Sequence, residues 1–140
     1  TCLEIFIADV ASEGYVEMNL APSGDWNLYA FDSYRSGMRP LPYSPGDSAD
    51  PLTEAGPLVD SARSADGREW SWRGSLRASG KCIAPELTRF LKAPSLVLGA
   101  TAVLEYNDGT REYWALDHCG EKPDFHLRKS FRLALESEGP

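Results

Sequence analysis

Alternation constrains this chain more than any other feature. In Cys2–Ala8, Leu3, Ile5 and Ile7 fall on one side and Cys2, Glu4 and Phe6 on the other. In Tyr15–Leu20, Val16, Met18 and Leu20 oppose Tyr15, Glu17 and Asn19. In Asp25–Phe31, Trp26, Leu28 and Ala30 oppose Asn27, Tyr29 and Phe31. A period of two is the spacing of a strand that buries one face. Gly14 and the Pro22-Ser23-Gly24 turn separate the runs, so they read as a meander of three short antiparallel strands.

Beyond Arg35 the texture changes. Half of the ten prolines lie between Pro40 and Pro57, mixed with Ser, Asp and Gly, which predicts a long loop over about 35–57. Strands resume at Leu58–Arg63 and Arg68–Ala78, joined by Ser64-Ala65-Asp66-Gly67. Ala84–Lys92 is the one helical candidate: Pro85 suits a first turn, and Leu87, Phe90 and Leu91 share a face. Leu96–Tyr106 and Thr110–Leu116 flank Asn107-Asp108-Gly109, a strong hairpin signal, and Phe131–Leu135 is a last strand. This pattern predicts an all-β fold, an antiparallel sandwich rather than a closed barrel, in a single domain over residues 1–140. Thr1 begins directly in strand-like sequence, which reads as a chain cut upstream.

Charge narrows the partners. Fourteen bases against twenty-one acids leave a net charge of −7. The acids dominate up to Asp60, where Arg35 and Arg39 are the sole bases. Such a surface repels phosphate backbones, so neither nucleic acid nor anionic membrane is expected. No apolar run approaches the ~18 residues of a membrane span. Cys2, Cys82 and Cys119 are too few and too scattered for a disulfide framework or a paired-cysteine zinc site. One bridge with a free thiol and three reduced thiols both remain open, and the compartment with them.

The polar side of the meander carries the chemistry. Glu4, Tyr15, Glu17, Asn19, Asn27 and Tyr29 fall on one face if the strands are neighbours. Carboxylate and amide oxygens accept from vicinal hydroxyls, and a flat ring covers the apolar side of a pyranose, so this composition suits a neutral sugar. An ordinary solvated sheet face has the same composition. Trp70 and Trp72 share a face and read as core packing before stacking platform. Trp26 alternates with Leu28 and Ala30 and reads as core; Trp114 shares a face with Glu112 and Leu116.

Catalytic signals are thin. No serine sits in a GxSxG elbow, and no nucleophile motif adjoins His118 or His126. Glu4 and Glu17 could form a glycosidase pair, but an exposed face supplies no buried acid with a raised pKa, so binding is expected rather than cleavage. His118, Cys119 and His126 match no established zinc spacing. Met18 or Met38 with a histidine offers haem a formal ligand pair.

Three stretches resemble the DOMON-like family related to type 9 carbohydrate-binding modules. They are Thr1-Cys2-Leu3-Glu4-Ile5-Phe6-Ile7-Ala8, Tyr15 to Asn27, and Phe31-Asp32-Ser33-Tyr34-Arg35-Ser36-Gly37-Met38-Arg39. Ala102–Glu105, Tyr113–Leu116 and Lys122–His126 extend the resemblance to about Leu135. It implies a β-sandwich of immunoglobulin or jelly-roll kind whose relatives bind sugars or haem on one face, and which carry further strands and a Trp upstream of the Thr-Cys motif. It also implies ligand-binding roles for Glu4, for Asn107 and for Trp114. The resulting expectation is a non-catalytic module binding a small saccharide through Glu4, Asn107, Trp114, Glu17 and Tyr29, with no required cofactor. A haem or redox domain and a structural interaction domain are the alternatives.

Overall fold

The computed structural model describes residues 1–41, 58–63, 65–66, 70–75, 87, 90 and 92–136; within 58–63 and 70–75 it describes backbone and the side chains of Ala62 and Ser71 only. The architecture is all-β and antiparallel, of the sandwich class. Nine strands are described: β1 (Cys2–Asp9), β2 (Tyr15–Leu20), β3 (Trp26–Phe31), β4 (Arg39–Pro40), β5 (Leu58–Arg63), β6 (Trp70–Ser75), β7 (Ser95–Glu105), β8 (Arg111–Ala115) and β9 (Leu133–Glu136). Seven form one sheet in the order β4-β3-β2-β1-β7-β8, with β9 also paired to β7; β5 and β6 form a two-stranded sheet. The large sheet does not close into a barrel.

The meander β1-β2-β3 follows directly from the alternation, with Leu3 opposite Leu20 and Met18 opposite Leu28. The long strand β7 then lies along the free side of β1, Glu4 facing Thr101 and Phe6 facing Gly99. Its two halves take different partners on the far side: residues 101–105 pair with β8 and residues 95–98 with β9. Arg39 and Pro40, assigned to the Pro-rich loop by composition, instead pair with Ala30 and Tyr29. Proline is admissible there because β4 is an edge strand that needs no donor on its outer side.

Both faces of the sheet carry apolar clusters. On one, Val16, Met18, Leu20, Leu28 and Ala30 pack with Leu41 and Leu87, flanked by Leu3, Ile5, Trp26 and Phe90. Leu87 and Phe90 have helical backbone, as their spacing predicts; the rest of the helical candidate up to Leu91 lies outside the described residues. So do the Pro-rich stretch 42–57, Cys82, and the side chains of Trp70 and Trp72. Cys2 and Cys119 are free thiols.

On the other face Phe6, Ala8, Tyr15 and Phe31 pack against Phe125 and Phe131, which arrive from the segment after β8. Tyr15 and Phe31 are register partners and stack with ring centroids 4.7 Å apart. Phe131 stacks on Phe6 at 5.4 Å and fits because position 99 is glycine. A Cβ there would stand 2.9 Å from the Phe131 ring. The 117–126 segment, interrupted by Gly120 and Pro123, is a loop that carries Phe125 back to the sheet.

Candidate functional site

Register decides which side chains share the aromatic face. Reading across the sheet, Asn27, Asn19, Glu4 and Thr101 form one row and Tyr29, Glu17, Phe6 and Gly99 the next. Glu4, Tyr15, Glu17, Asn19, Asn27 and Tyr29 thus lie on one surface, as the alternation predicts. Glu4 and Glu17 are diagonal neighbours on adjacent strands, about 7–8 Å apart along the backbone.

The two carboxylates are not, however, the solvated acids of an open sheet. Glu17 is only 9% exposed and Glu4 is half-buried. Burial pushes the Glu4 carboxyl above its usual range, and the charge of Glu17 adds to the effect. Burial raises Glu17 likewise, against the Asn19 hydrogen bond and the Arg35 charge. The expectation that this face holds no buried acid with a raised pKa is corrected here: the cover supplied by residues 117–131 is a tertiary feature with no local signature. Asn19 Nδ2 donates to Glu17 Oε1 at 2.7 Å, and Thr101 Oγ1 donates to Glu4 Oε2 at 3.2 Å. Among the described residues nothing hydrogen-bonds Glu17 Oε2 or Glu4 Oε1.

A polar network closes one end of this face. The Tyr15 hydroxyl lies 2.7 Å from His126 Nδ1 and accepts the Arg35 backbone N–H at 3.3 Å. With that acceptance filled, the phenol proton is satisfied by donating to Nδ1, which leaves the His126 proton on Nε2, 3.8 Å from Glu17 Oε2. The imidazole meets the rings of Phe6 and Phe31 edge-on at 5.3 Å. Burial, with the Arg35 charge second, lowers its pKa from 6.5 to about 4, so it is neutral at physiological pH. Asp124 ties the 117–126 loop to the β3–β4 turn: Oδ2 accepts from Tyr34 at 2.5 Å and Oδ1 from Arg35 at 2.9 Å. Asp124 Oδ1 also accepts the His126 backbone N–H at 3.2 Å, a local lock on the turn. Burial acts to raise the Asp124 carboxyl, but these hydrogen bonds and the Arg35 charge hold it below its usual value.

The turn that presents Arg35 is held from within. Asp32 N–H donates to Ser36 O, Arg35 takes a positive φ of 50°, and Arg39 pairs with Asp32 at 2.7 Å. Gly37 sits at φ 67°, where a Cβ would meet Asp32 Oδ2 at 2.1 Å. Glycine is required on both counts. One of the two N-terminal arginines therefore pairs within its own half and the other reaches across to Asp124.

Two of the expected ligand-binding residues stand apart. Trp114 pairs with Ala102, itself opposite Leu3, so its ring lies on the face away from Glu4; it is 60% exposed and donates Nε1–H to Glu112. Asn107 is exposed in the β7–β8 turn. Of the two β8 rings, the one on the Glu4 face is Tyr113, opposite Val103 and 6.3 Å from Phe125. Parity along β8 separates Tyr113 from Trp114, but only the β1–β7 pairing tells which of them joins Glu4. Met18 lies in the core of the opposite face from His126, and Met38 is exposed, so the histidine and Met18 do not converge as a ligand pair. No group of metal-ligating residues occurs among the described residues. No described helix is long and apolar enough to cross a membrane. Compared with protein-family models, with curated proteins and with solved structures, the chain matches none.

Proposed function

We propose that this chain is a non-catalytic binding module for a small neutral saccharide, held on the Glu4–Glu17 face of the large sheet. The observation that carries the reading is the juxtaposition of Glu4, Glu17, Asn19, Asn27 and Thr101 on one surface with Tyr29 and Tyr113. Carboxylate oxygens with no described hydrogen-bond donor accept from sugar hydroxyls, and the tyrosine rings offer flat apolar cover. Their burial strengthens each hydrogen bond by excluding water. The resemblance to the DOMON-like family and type 9 carbohydrate-binding modules supports the same class of ligand. The proposed contacts differ from those the resemblance implies: Tyr113 is taken in place of Trp114, and Asn107 is left out.

The reading takes the two carboxylates as hydrogen-bond acceptors for sugar hydroxyls rather than as an acid–nucleophile pair. Isothermal titration against a panel of neutral mono- and disaccharides tests the proposal. Binding at millimolar sugar or below, weakened at least tenfold by Glu4→Ala, is the expected outcome; no heat from any sugar at millimolar concentration rejects it.

A further inference from the structure

A second place in the molecule holds a half-buried cation with no direct ion pair. Of the described arginine side chains, Arg35, Arg39, Arg111 and Arg132 each form an ion pair with a carboxylate. Arg128 has no such partner among the described residues. It is held in a 3-10 turn, Arg128–Ser130, between the buried rings of Phe125 and Phe131. Its Nη2 donates to the Asp9 backbone carbonyl at 2.5 Å, and its guanidinium carbon lies 5.3 Å from the Phe131 ring centroid. Nη1 is buried and has no hydrogen-bond partner. The nearby Asp9 carboxylate offsets part of its charge without hydrogen-bonding it, so burial with one carbonyl and one ring leaves the cation incompletely compensated, and an added anion would stabilise it.

Arg128 borders an open cleft of about 580 Å³ at the end of the sheet where β1 turns into β2. Val10, Ser12, Glu13, Ser33 and Tyr34 line it with Arg128. Ser12 Oγ accepts the Gly14 N–H at 3.2 Å, so its own hydroxyl proton is free to donate toward the cleft. The Tyr34 hydroxyl is committed to Asp124, which leaves the ring as lining beside Val10. A space of this size exceeds a bare ion and suits a small organic molecule.

We propose that this cleft binds a small organic oxyanion, a carboxylate or phosphate ester on an apolar body, with Arg128 as its counter-charge, Ser12 as a hydroxyl donor, and Val10 and Tyr34 against the apolar part. The site uses neither Glu4 nor Glu17 and stands whether or not a saccharide binds there. Glu13, exposed on the same lining, opposes an anion and sets its affinity.

Titration of the ¹⁵N-labelled protein with benzoate, phenyl phosphate and inorganic phosphate tests the assignment, with sodium chloride at matched ionic strength as control. The readouts are the amides of Ala11, Ser12 and Glu13 and the Arg128 Nε–H. Saturable shifts with benzoate or phenyl phosphate, stronger than with inorganic phosphate, are expected, and whichever of the two saturates names the head group. Arg128→Gln weakens binding at least tenfold. Glu13→Gln tightens it on the order of fivefold, the size of one exposed charge–charge contact. Shifts no different from the chloride control, or unchanged affinity in folded Arg128→Gln, overturn the proposal. If Arg128→Gln does not fold, Glu13→Gln decides: tighter binding supports the site, and equal or weaker binding overturns it.

Discussion

His126 makes the structure's stability depend on pH in a direction that can be worked out in advance. Its ring is enclosed by Phe6, Tyr15 and Phe31, and its pKa falls from 6.5 to about 4. Between those values the unfolded chain binds a proton that the folded chain refuses. The stabilisation is therefore complete above pH 6.5 and is lost as pH falls toward 4. At about 1.4 kcal/mol for each tenfold change in proton affinity the ceiling is about 3.5 kcal/mol; the ring's partial access to water lowers this to about 2 kcal/mol. Glu4 and Glu17 act in the opposite sense. Their raised pKa values make the folded state hold protons more tightly, so acidification through their titration favours folding. Whole-protein pH curves mix the two effects, and a difference measurement separates them. His126→Gln keeps an acceptor for the Tyr15 hydroxyl and removes the titration. Urea denaturation of both proteins at pH 7 and pH 4.5 should show the advantage of the parent over the variant shrinking by about 2 kcal/mol on acidification. With a slope of about 1–3 kcal/mol per molar urea, that is a midpoint change on the order of 1 M. An advantage that stays constant, or that grows toward pH 4.5, refutes the enclosure of a neutral imidazole.

Other perturbations probe the supports of the site. Gly37→Ala should cost about 2–3 kcal/mol by urea denaturation, because it combines a positive φ with a clash against Asp32; Gly24→Ala, at φ 93° with nothing within 4 Å, should cost about 1 kcal/mol. Equal costs would mean that Asp32 moves aside freely. Gly99→Ala forces the Phe131 ring from its place over Phe6 and should lower stability by about 1–3 kcal/mol; a thermal midpoint unchanged from the parent would contradict the packing described. A double-mutant cycle on Arg35→Ala and Asp124→Asn should return a coupling of about 0.2–1 kcal/mol, as for an exposed pair, and a larger value would place it in a drier setting than the structure shows.

What the sequence made legible is what is local. The alternation in β1, β2 and β3 and the Asn107-Asp108-Gly109 turn predict strands within one or two residues of those observed, because side-chain parity and turn chemistry are properties of neighbouring residues. They also place Glu4, Glu17 and Tyr29 together. Trp114 is where this reasoning stops. Its parity relative to Tyr113 is plain from the sequence, but which of the two shares a face with Glu4 depends on Leu3 pairing with Ala102, a contact made across most of the chain. Glu17 is buried and has His126, which folds back from beyond β8, 3.8 Å away, a long-range neighbour with no local signature in the sequence. Arg39 and Pro40 show the same limit in miniature: composition reads a loop, and the open edge of β3 takes two of its residues as a strand.

The central claim is that ligand is held on the Glu4–Glu17 face and not on the face bearing Trp114. The most direct test compares Glu17→Gln with Trp114→Ala for the saccharide that binds the parent protein best, by isothermal titration at pH 7. The account predicts a loss of at least tenfold in affinity for Glu17→Gln and parent-like affinity for Trp114→Ala. Parent-like binding by Glu17→Gln together with loss of binding in Trp114→Ala would contradict it.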